Sequence, residues 1–310
     1  MNNLFDIQQF QQFDNLELIA REVVEGFITG LHRSPFHGFS VEFAEHRQYN
    51  QGEATKHIDW KLFARSDRLY VKQYEEETNL RCQLVLDVSS SMLFPFDNKG
   101  ENRLMNKLAF SVYSAAALIY LMRKQRDAVG LTLFSDHIEF HSGNRISSVH
   151  AELLYGKLAA LLAAGKKDLN KTTNTVEALH QIAEQVHKRS LVVLFSDMLD
   201  DSAGDELFSA LQHLRYNKHE VILFHVTDHK QERELDFINR PYRFVDLETG
   251  HHLKLTPGEL KDRYRKAVRT YFDELKIKCG QYQIDLVEAD IHQNFSDVLL
   301  NFLLKRKRLF

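Results

Sequence analysis

Five short runs of this chain are apolar nearly throughout: Gln83 to Leu86, Val129 to Phe134, Leu191 to Phe195, Val221 to Val226 and Ile284 to Val287. A strand wet on one face alternates apolar and polar residues, whereas a strand buried on both faces does not, and the latter is typical of parallel sheets covered by helices. The intervening stretches, Leu104 to Arg123, Val149 to Ala164, Val176 to His187, Asp205 to Asn217, Pro257 to Lys276 and Phe295 to Leu304, supply those helices. The expected fold is therefore α/β, a central and mostly parallel sheet with helices on both faces. Pro257 sits where a helix start tolerates proline. Glu248-Thr249-Gly250 reads as the turn of a hairpin inserted between His229 and Thr256.

The first 80 residues read differently. Leu16, Ile19, Ala20, Val23, Phe27 and Leu31 recur at helical steps, and Ser34-Pro35 breaks the pattern. Residues 36 to 80 carry short alternating segments, Phe39 to Phe43 and Leu69 to Val71, expected to be half-exposed strands around a loop, with Trp60 in the core of this small β-rich piece or at its seam with the sheet. The organisation expected is an N-terminal helix and β-rich portion over 1–80, then the α/β domain over 81–310 with its hairpin near 229–256.

A net charge of −3 gives no global attraction to nucleic acid or anionic membranes, so binding must come from local sites. Cys82 and Cys279 suit reduced, buried thiols better than a disulfide framework. No apolar run reaches the roughly 18 residues a membrane helix needs, and Met1-Asn2-Asn3 with the Gln-rich sequence after it lacks the character of a signal peptide. The expectation is a cytoplasmic protein.

The first strand run ends in Asp87-Val88-Ser89-Ser90-Ser91, which places a carboxylate and two hydroxyls on one turn. Magnesium prefers octahedral oxygen and takes one or two protein carboxylates, so such a turn suits it and leaves positions open. Ligands of open α/β sheets bind beyond the carboxyl ends of the strands. Asp197 ends the run Leu191 to Ser196 as Asp87 ends the first, and Lys171-Thr172-Thr173-Asn174-Thr175 opens a helix from a third loop. If the strands are neighbours, oxygen donors from three loops converge.

This combination resembles the metal-ion-dependent adhesion site of von Willebrand factor A domains. Carried over by position, the metal residues are Asp87, Ser89, Ser91, Thr173 and Asp197, with Thr172 or Thr175 as alternatives for the threonine. In such sites the hydroxyls bind the ion directly or through water, the aspartates mostly through water, and a partner's acidic side chain fills the last position. Upstream, Phe43, Arg47-Gln48-Tyr49, Gly52-Glu53, Ile58-Asp59-Trp60-Lys61, Ala64-Arg65 and Val71-Lys72-Gln73-Tyr74-Glu75 resemble the bacterial family known as domain of unknown function 58. Glu53 stands where that family usually has Asp, and Lys56-His57 where it has Arg. The family is often encoded beside MoxR-type AAA+ ATPases. The resemblance thus implies Mg²⁺, with Mn²⁺ or Ca²⁺ as substitutes, and a protein partner presenting Asp or Glu. It further implies an adaptor or chaperone role beside a MoxR-type AAA+ ATPase, with neither nucleic acid nor membrane insertion.

Blander readings stand beside these. Asp200 and Asp201 are read as complementing the dipole of the following helix. The basic residues Arg47, Lys56, Lys61, Arg65, Arg68 and Lys72 interleave with glutamates and are read as internally paired, and the terminal Lys305-Arg306-Lys307-Arg308 as a solvated run. His225, His229, His251 and His252 lack zinc-type spacing. Phosphate-loop, dinucleotide, nucleophile-elbow and His-Glu-x-x-His signatures are absent, so the chain is read as a non-enzyme. The alternative is a metal-dependent phosphoester hydrolase using the same acidic crevice.

Overall fold

The computed structural model describes residues 15–31, 43–48, 60–66, 68–74, 80–96, 105–162, 174–199 and 204–293, with Leu300 and Phe302. In chain order the elements are α1 (Leu16–Leu31), β1 (Phe43–Gln48), α2 (Trp60–Ser66), β2 (Tyr70–Tyr74), β3 (Arg81–Asp87), α3 (Lys107–Lys124), β4 (Ala128–Phe134), β5 (Ile138–His141), α4 (Ser148–Leu162) and α5 (Thr175–Gln185). They continue with β6 (Leu191–Ser196), α6 (Gly204–Tyr216), β7 (Glu220–Thr227), β8 (Tyr242–Val245), β9 (His252–Leu255), α7 (Pro257–Gln281) and β10 (Asp285–Asp290). Two compact units result, one of Thr29–Asn79 and one of the rest of the chain.

In the smaller unit β1 and β2 pair antiparallel, with an irregularity between Phe43 and Glu45. Trp60 does not lie in a β core as expected: it opens a helix, is 58% exposed, and meets Phe63 edge-on at 6.1 Å.

In the larger unit six strands form one sheet in the order β10-β7-β6-β3-β4-β5, parallel throughout except β5. This is the expected α/β architecture, a central and mostly parallel sheet with helices on both faces. Alternate residues of each strand feed two different cores. Leu84 and Leu86 of β3, Val193 and Phe195 of β6 and Phe224 of β7 join α1, α3 and α4 on one face. Val85, Val192, Leu194 and Leu223 meet α5, α6 and α7 on the other. At about 25 cal/mol per Å² of apolar surface removed from water, two such cores dominate the stability of the unit. Cys82 belongs to the first core and Cys279 to the second, so both are buried free thiols separated by the sheet.

The strands and helices expected between Cys82 and Val287 are present with shifted ends, and of the strand expected over Phe39 to Phe43 only Phe43 lies within the described residues, where it opens β1. Helix α7 runs to Gln281, past the expected end at Lys276, because Leu275 and Cys279, four residues apart, carry its buried face onward. The expected hairpin is β8 and β9, with Gly250 in the left-handed region (φ 71°) that its turn requires. Strand β5 was not expected. The helix expected over Phe295 to Leu304 lies outside the described residues apart from Leu300 and Phe302, of which Phe302 is fully buried. Asp200, Asp201, Lys56 and Lys305 to Arg308 also lie outside them. Among the described residues no helix is long and apolar enough to cross a membrane.

Candidate metal centre

Strands β3 and β6 are hydrogen-bonded neighbours running the same way, with Leu86 opposite Phe195. Their carboxyl ends therefore deliver Asp87 and Asp197 to one crevice, and both residues are 1% exposed. The charge of Asp197 acts on Asp87 there. Burial first, and then Asp197, push the Asp87 carboxyl up to about 7.

Asp87 is held at both oxygens. Its Oδ1 accepts from the Ser89 N–H at 3.0 Å, and its Oδ2 accepts from the Ser196 hydroxyl at 2.7 Å. Past Asp87 the chain enters a 3-10 turn, Ser90–Leu93, which brings the Ser89 and Ser91 hydroxyl oxygens to 3.0 Å from each other. Ser89 is buried and Ser91 half-buried, so the donor set opens toward solvent at Ser91.

Asp197 is held differently. Its Oδ1 accepts from the Leu199 N–H at 3.2 Å, and its Oδ2 accepts from the ammonium of Lys107 at 2.7 Å. Lys107, fully buried at the first position of α3, also donates to Glu232 Oε1 at 2.5 Å. Burial disfavours its charge, but Asp197 and Glu232 outweigh burial and raise its pKa above the ordinary lysine value. Glu232 lies in the π-helical turn His229–Arg233 after β7 and accepts the Asp228 N–H at 2.8 Å, so Lys107 links the loops after β6 and β7. His225 donates Nε2–H to the Asp197 carbonyl at 2.8 Å and meets Phe272 edge-on. Burial lowers its pKa to about 4, which keeps it a neutral core histidine. Met198 sits at φ 51°, a strained conformation for a non-glycine residue. Its N–H donates to Ser196 Oγ at 2.9 Å, and its carbonyl accepts from Tyr271 at 2.5 Å, so both neighbours hold it there.

Of the third loop, Thr172 and Thr173 lie outside the described residues. Thr175 is buried in the first turn of α5, and Asn174 just before it donates its N–H to Ser135 O, at the end of β4, at 3.4 Å. That bond fixes the start of α5 at the same end of the sheet as Asp87.

The donor set fits a hard divalent ion. Two cis oxygens of an octahedron with metal–oxygen bonds of roughly 2.1 Å stand about 3.0 Å apart, which matches the Ser89–Ser91 spacing. Asp87 and Asp197 are buried and Glu232 is half-buried, and the ammonium of Lys107 pairs with both Asp197 and Glu232. Among the described residues no three His, Cys, Asp or Glu side chains converge as a metal group.

Lys107, Ser196 and Glu232 were not expected at the site. A lysine in the first turn of a helix, against the helix dipole, was the one available signal, together with the Ser-Asp pair closing the β6 run.

The family described as "Protein of unknown function DUF58" matches residues 45–274 of the chain. The chain belongs to this family. Uncharacterized proteins of Mycobacterium bovis and Mycobacterium tuberculosis are 23% identical to this DUF58 chain over 213 residues, 69% of its length, and it spans 63% of theirs. Among solved structures it is similar to the conserved hypothetical protein BatB from Bacteroides thetaiotaomicron, with TM-score 0.42 and 12% identity over 74% of this chain and 100% of that one. It is also similar to the SpRpn10 VWA domain, with TM-score 0.34 and 14% identity over 71% and 94%.

Proposed function

We propose that this DUF58 protein is a metal-dependent protein-interaction module. Asp87, Ser89 and Ser91, with Asp197 and one of Thr172, Thr173 and Thr175, hold a Mg²⁺-type ion, and a partner's Asp or Glu completes the coordination. The carrying observation is the convergence of two buried carboxylates from adjacent parallel strands on a turn whose two hydroxyls stand 3.0 Å apart. When bound, the ion supplies a directional positive site for an incoming carboxylate. The chain's own residues do the positioning. Ser196 and the Ser89 N–H orient Asp87, while Lys107 fixes Asp197 and keeps its charge from repelling Asp87 unopposed. Deprotonated Asp87 is the binding-competent form. Family resemblance supports a MoxR-type AAA+ ATPase as the machine this module serves, as adaptor or chaperone component.

The test titrates Mg²⁺ and Mn²⁺ into wild-type and Asp87→Ala protein by calorimetry. Capture of a MoxR-type ATPase and generic phosphatase turnover are measured in parallel. Metal-dependent capture without turnover, lost in Asp87→Ala, is the expected result. Turnover lost in Asp87→Ala would make the protein a hydrolase, and capture unchanged by chelator would refute the metal reading.

A further inference from the structure

A cavity of about 580 Å³ lies between the β8–β9 hairpin, the start of α7 and the end of the Asp-x-Ser-x-Ser turn. Its wall is largely apolar. In the hairpin register Phe244 pairs with Leu253 and Tyr242 with Leu255, so these alternate side chains share one face of the ribbon. Phe244, Leu253 and Leu255 line the cavity, as does Leu260 of α7. A two-stranded hairpin is marginal by itself and needs its apolar face covered. This face is incompletely covered, because Leu253 remains 60% and Leu260 39% exposed although both line the hollow. Contiguous exposed apolar surface of this kind marks an interaction site more often than an accident of folding.

Two further observations say what covers it. Phe94 forms part of the wall and donates its N–H to the Ser91 carbonyl at 3.1 Å, so a donor of the candidate metal centre and the cavity share one helical turn. Glu232, paired with Lys107 and through it with Asp197, also lines the cavity. At the other side Arg263 lines it. Its helix neighbours Lys261 and Arg265 are tied to Asp236 and Glu234, whereas Arg263 has no ion pair or hydrogen bond among the described residues. The cavity is thus flanked by a candidate cation site on one side and a free guanidinium on the other, two groups that attract carboxylates.

We infer that this groove docks a protein segment carrying one large aliphatic or aromatic side chain between two acidic residues. The apolar side chain enters between the hairpin and α7, one carboxylate reaches the Ser91 side, and the other pairs with Arg263. Ser91 and Phe94 are three residues apart in a 3-10 turn that rises about 2 Å per residue. An extended peptide advances about 3.3 Å per residue and spans that roughly 6 Å in about two residues, which puts the first acidic residue about two positions from the apolar one. This inference rests on the proposed capture of a carboxylate by the metal centre and adds the chemistry of the segment that bears it.

The experiment selects binders from a randomised dodecapeptide library on the wild-type protein in Mg²⁺. The enriched peptides are then titrated by fluorescence anisotropy against Leu253→Asp/Leu260→Asp, Arg263→Glu and Asp87→Ala proteins, and in chelator. Leu253, Leu260 and Arg263 are solvent-facing, and circular dichroism verifies that these variants fold. Expected are peptides with the acidic–apolar–acidic pattern, binding at least about tenfold weaker to the leucine double variant, since seating one such side chain stabilises by about 1.5–3 kcal/mol. Weaker binding to Arg263→Glu, restored by a basic residue in place of the second acid, supports the assignment of Arg263. Groove-dependent binding indifferent to chelator and to Asp87→Ala would support the groove and refute the metal reading. Peptides of another pattern, an empty selection, or wild-type binding by the leucine variant would overturn the inference.

Discussion

Replacing Asp87 with Asn should stabilise the metal-free protein, and bound metal should cancel that gain by stabilising wild type alone. In the metal-free protein the carboxyl is pushed from 3.8 up to about 7, by burial and then by Asp197. A group whose folded pKa is raised contributes stability that is complete below its unfolded pKa and lost as pH rises through the folded one, here between 3.8 and about 7. At roughly 1.4 kcal/mol per unit, ionised Asp87 costs the metal-free protein about 4 kcal/mol at pH 8. Asn is never charged and can still accept the Ser89 N–H, but its amide cannot accept the Ser196 hydroxyl if it turns its nitrogen there. That loses a hydrogen bond worth about 1 kcal/mol. The net expectation in chelator at pH 8 is a gain of about 3 kcal/mol for Asp87→Asn, on the order of 5 °C in Tm for a chain of this length. On the proposed metal binding, added Mg²⁺ should stabilise wild type by about 2.7 kcal/mol at a hundred times its Kd and leave the variant unmoved. Thermal and urea unfolding followed at 222 nm, with chelator and with Mg²⁺, reads both differences. The reasoning fails if Asp87→Asn melts below wild type in chelator at pH 8, or if both proteins respond equally to the ion.

His225 acts in the opposite sense. Buried neutral with its pKa lowered from 6.5 to about 4, it takes up a proton only on unfolding, so stability falls as pH drops from 6.5 to 4, by up to about 3 kcal/mol. In the Asp87→Asn background, His225→Leu should reduce that slope in denaturant titrations, burial of His141, His150 and His219 supplying the remainder, and an unchanged slope would assign it to other groups. Lys107→Met strands Asp197 and Glu232 and should cost about 3–5 kcal/mol in urea unfolding at pH 7. Adding Glu232→Met should recover part of that loss, and strictly additive losses would mean that the two side chains do not act as a pair. A Cβ on Gly130 would stand 2.4 Å from Gln83 Oε1 and 2.6 Å from the Ser142 carbonyl oxygen. Gly130→Ala should therefore destabilise by about 1–3 kcal/mol, and a calorimetric Tm equal to wild type would contradict the crowding.

The runs around Leu84, Leu131, Val193 and Leu223 were legible as strands because burial on both faces leaves few polar positions, Gln83, Thr132 and His225 among them, and a short apolar run bounded by turns has few other homes. Strand β5 escaped because Ile138–His141 is four residues long and lies at the sheet edge, where Glu139 is exposed and no apolar run develops. Helix α2 escaped for a related reason: seven residues between strand-like segments hold too few turns for a 3.6-residue period to register. At the candidate centre, Asp87, Ser89, Ser91 and Asp197 could be named because each follows a readable strand. Lys107 and Glu232 could not, since their meeting spans 125 residues and depends on where the loop after β7 folds back. The basic portion over 36–80 gave the family resemblance but little architecture, its short strands being specified by pairing across a long connection.

Strand β3 occupies an interior place in the sheet, with β6 on one side and β4 on the other. Backbone amides in such a position exchange with solvent only when the whole domain opens, whereas edge strands such as β5 and β10 can fray alone. The turn after Asp87 is thus anchored to the slowest-exchanging part of the molecule. Any ligand gripping it should retard deuterium uptake throughout the sheet rather than quieten one loop.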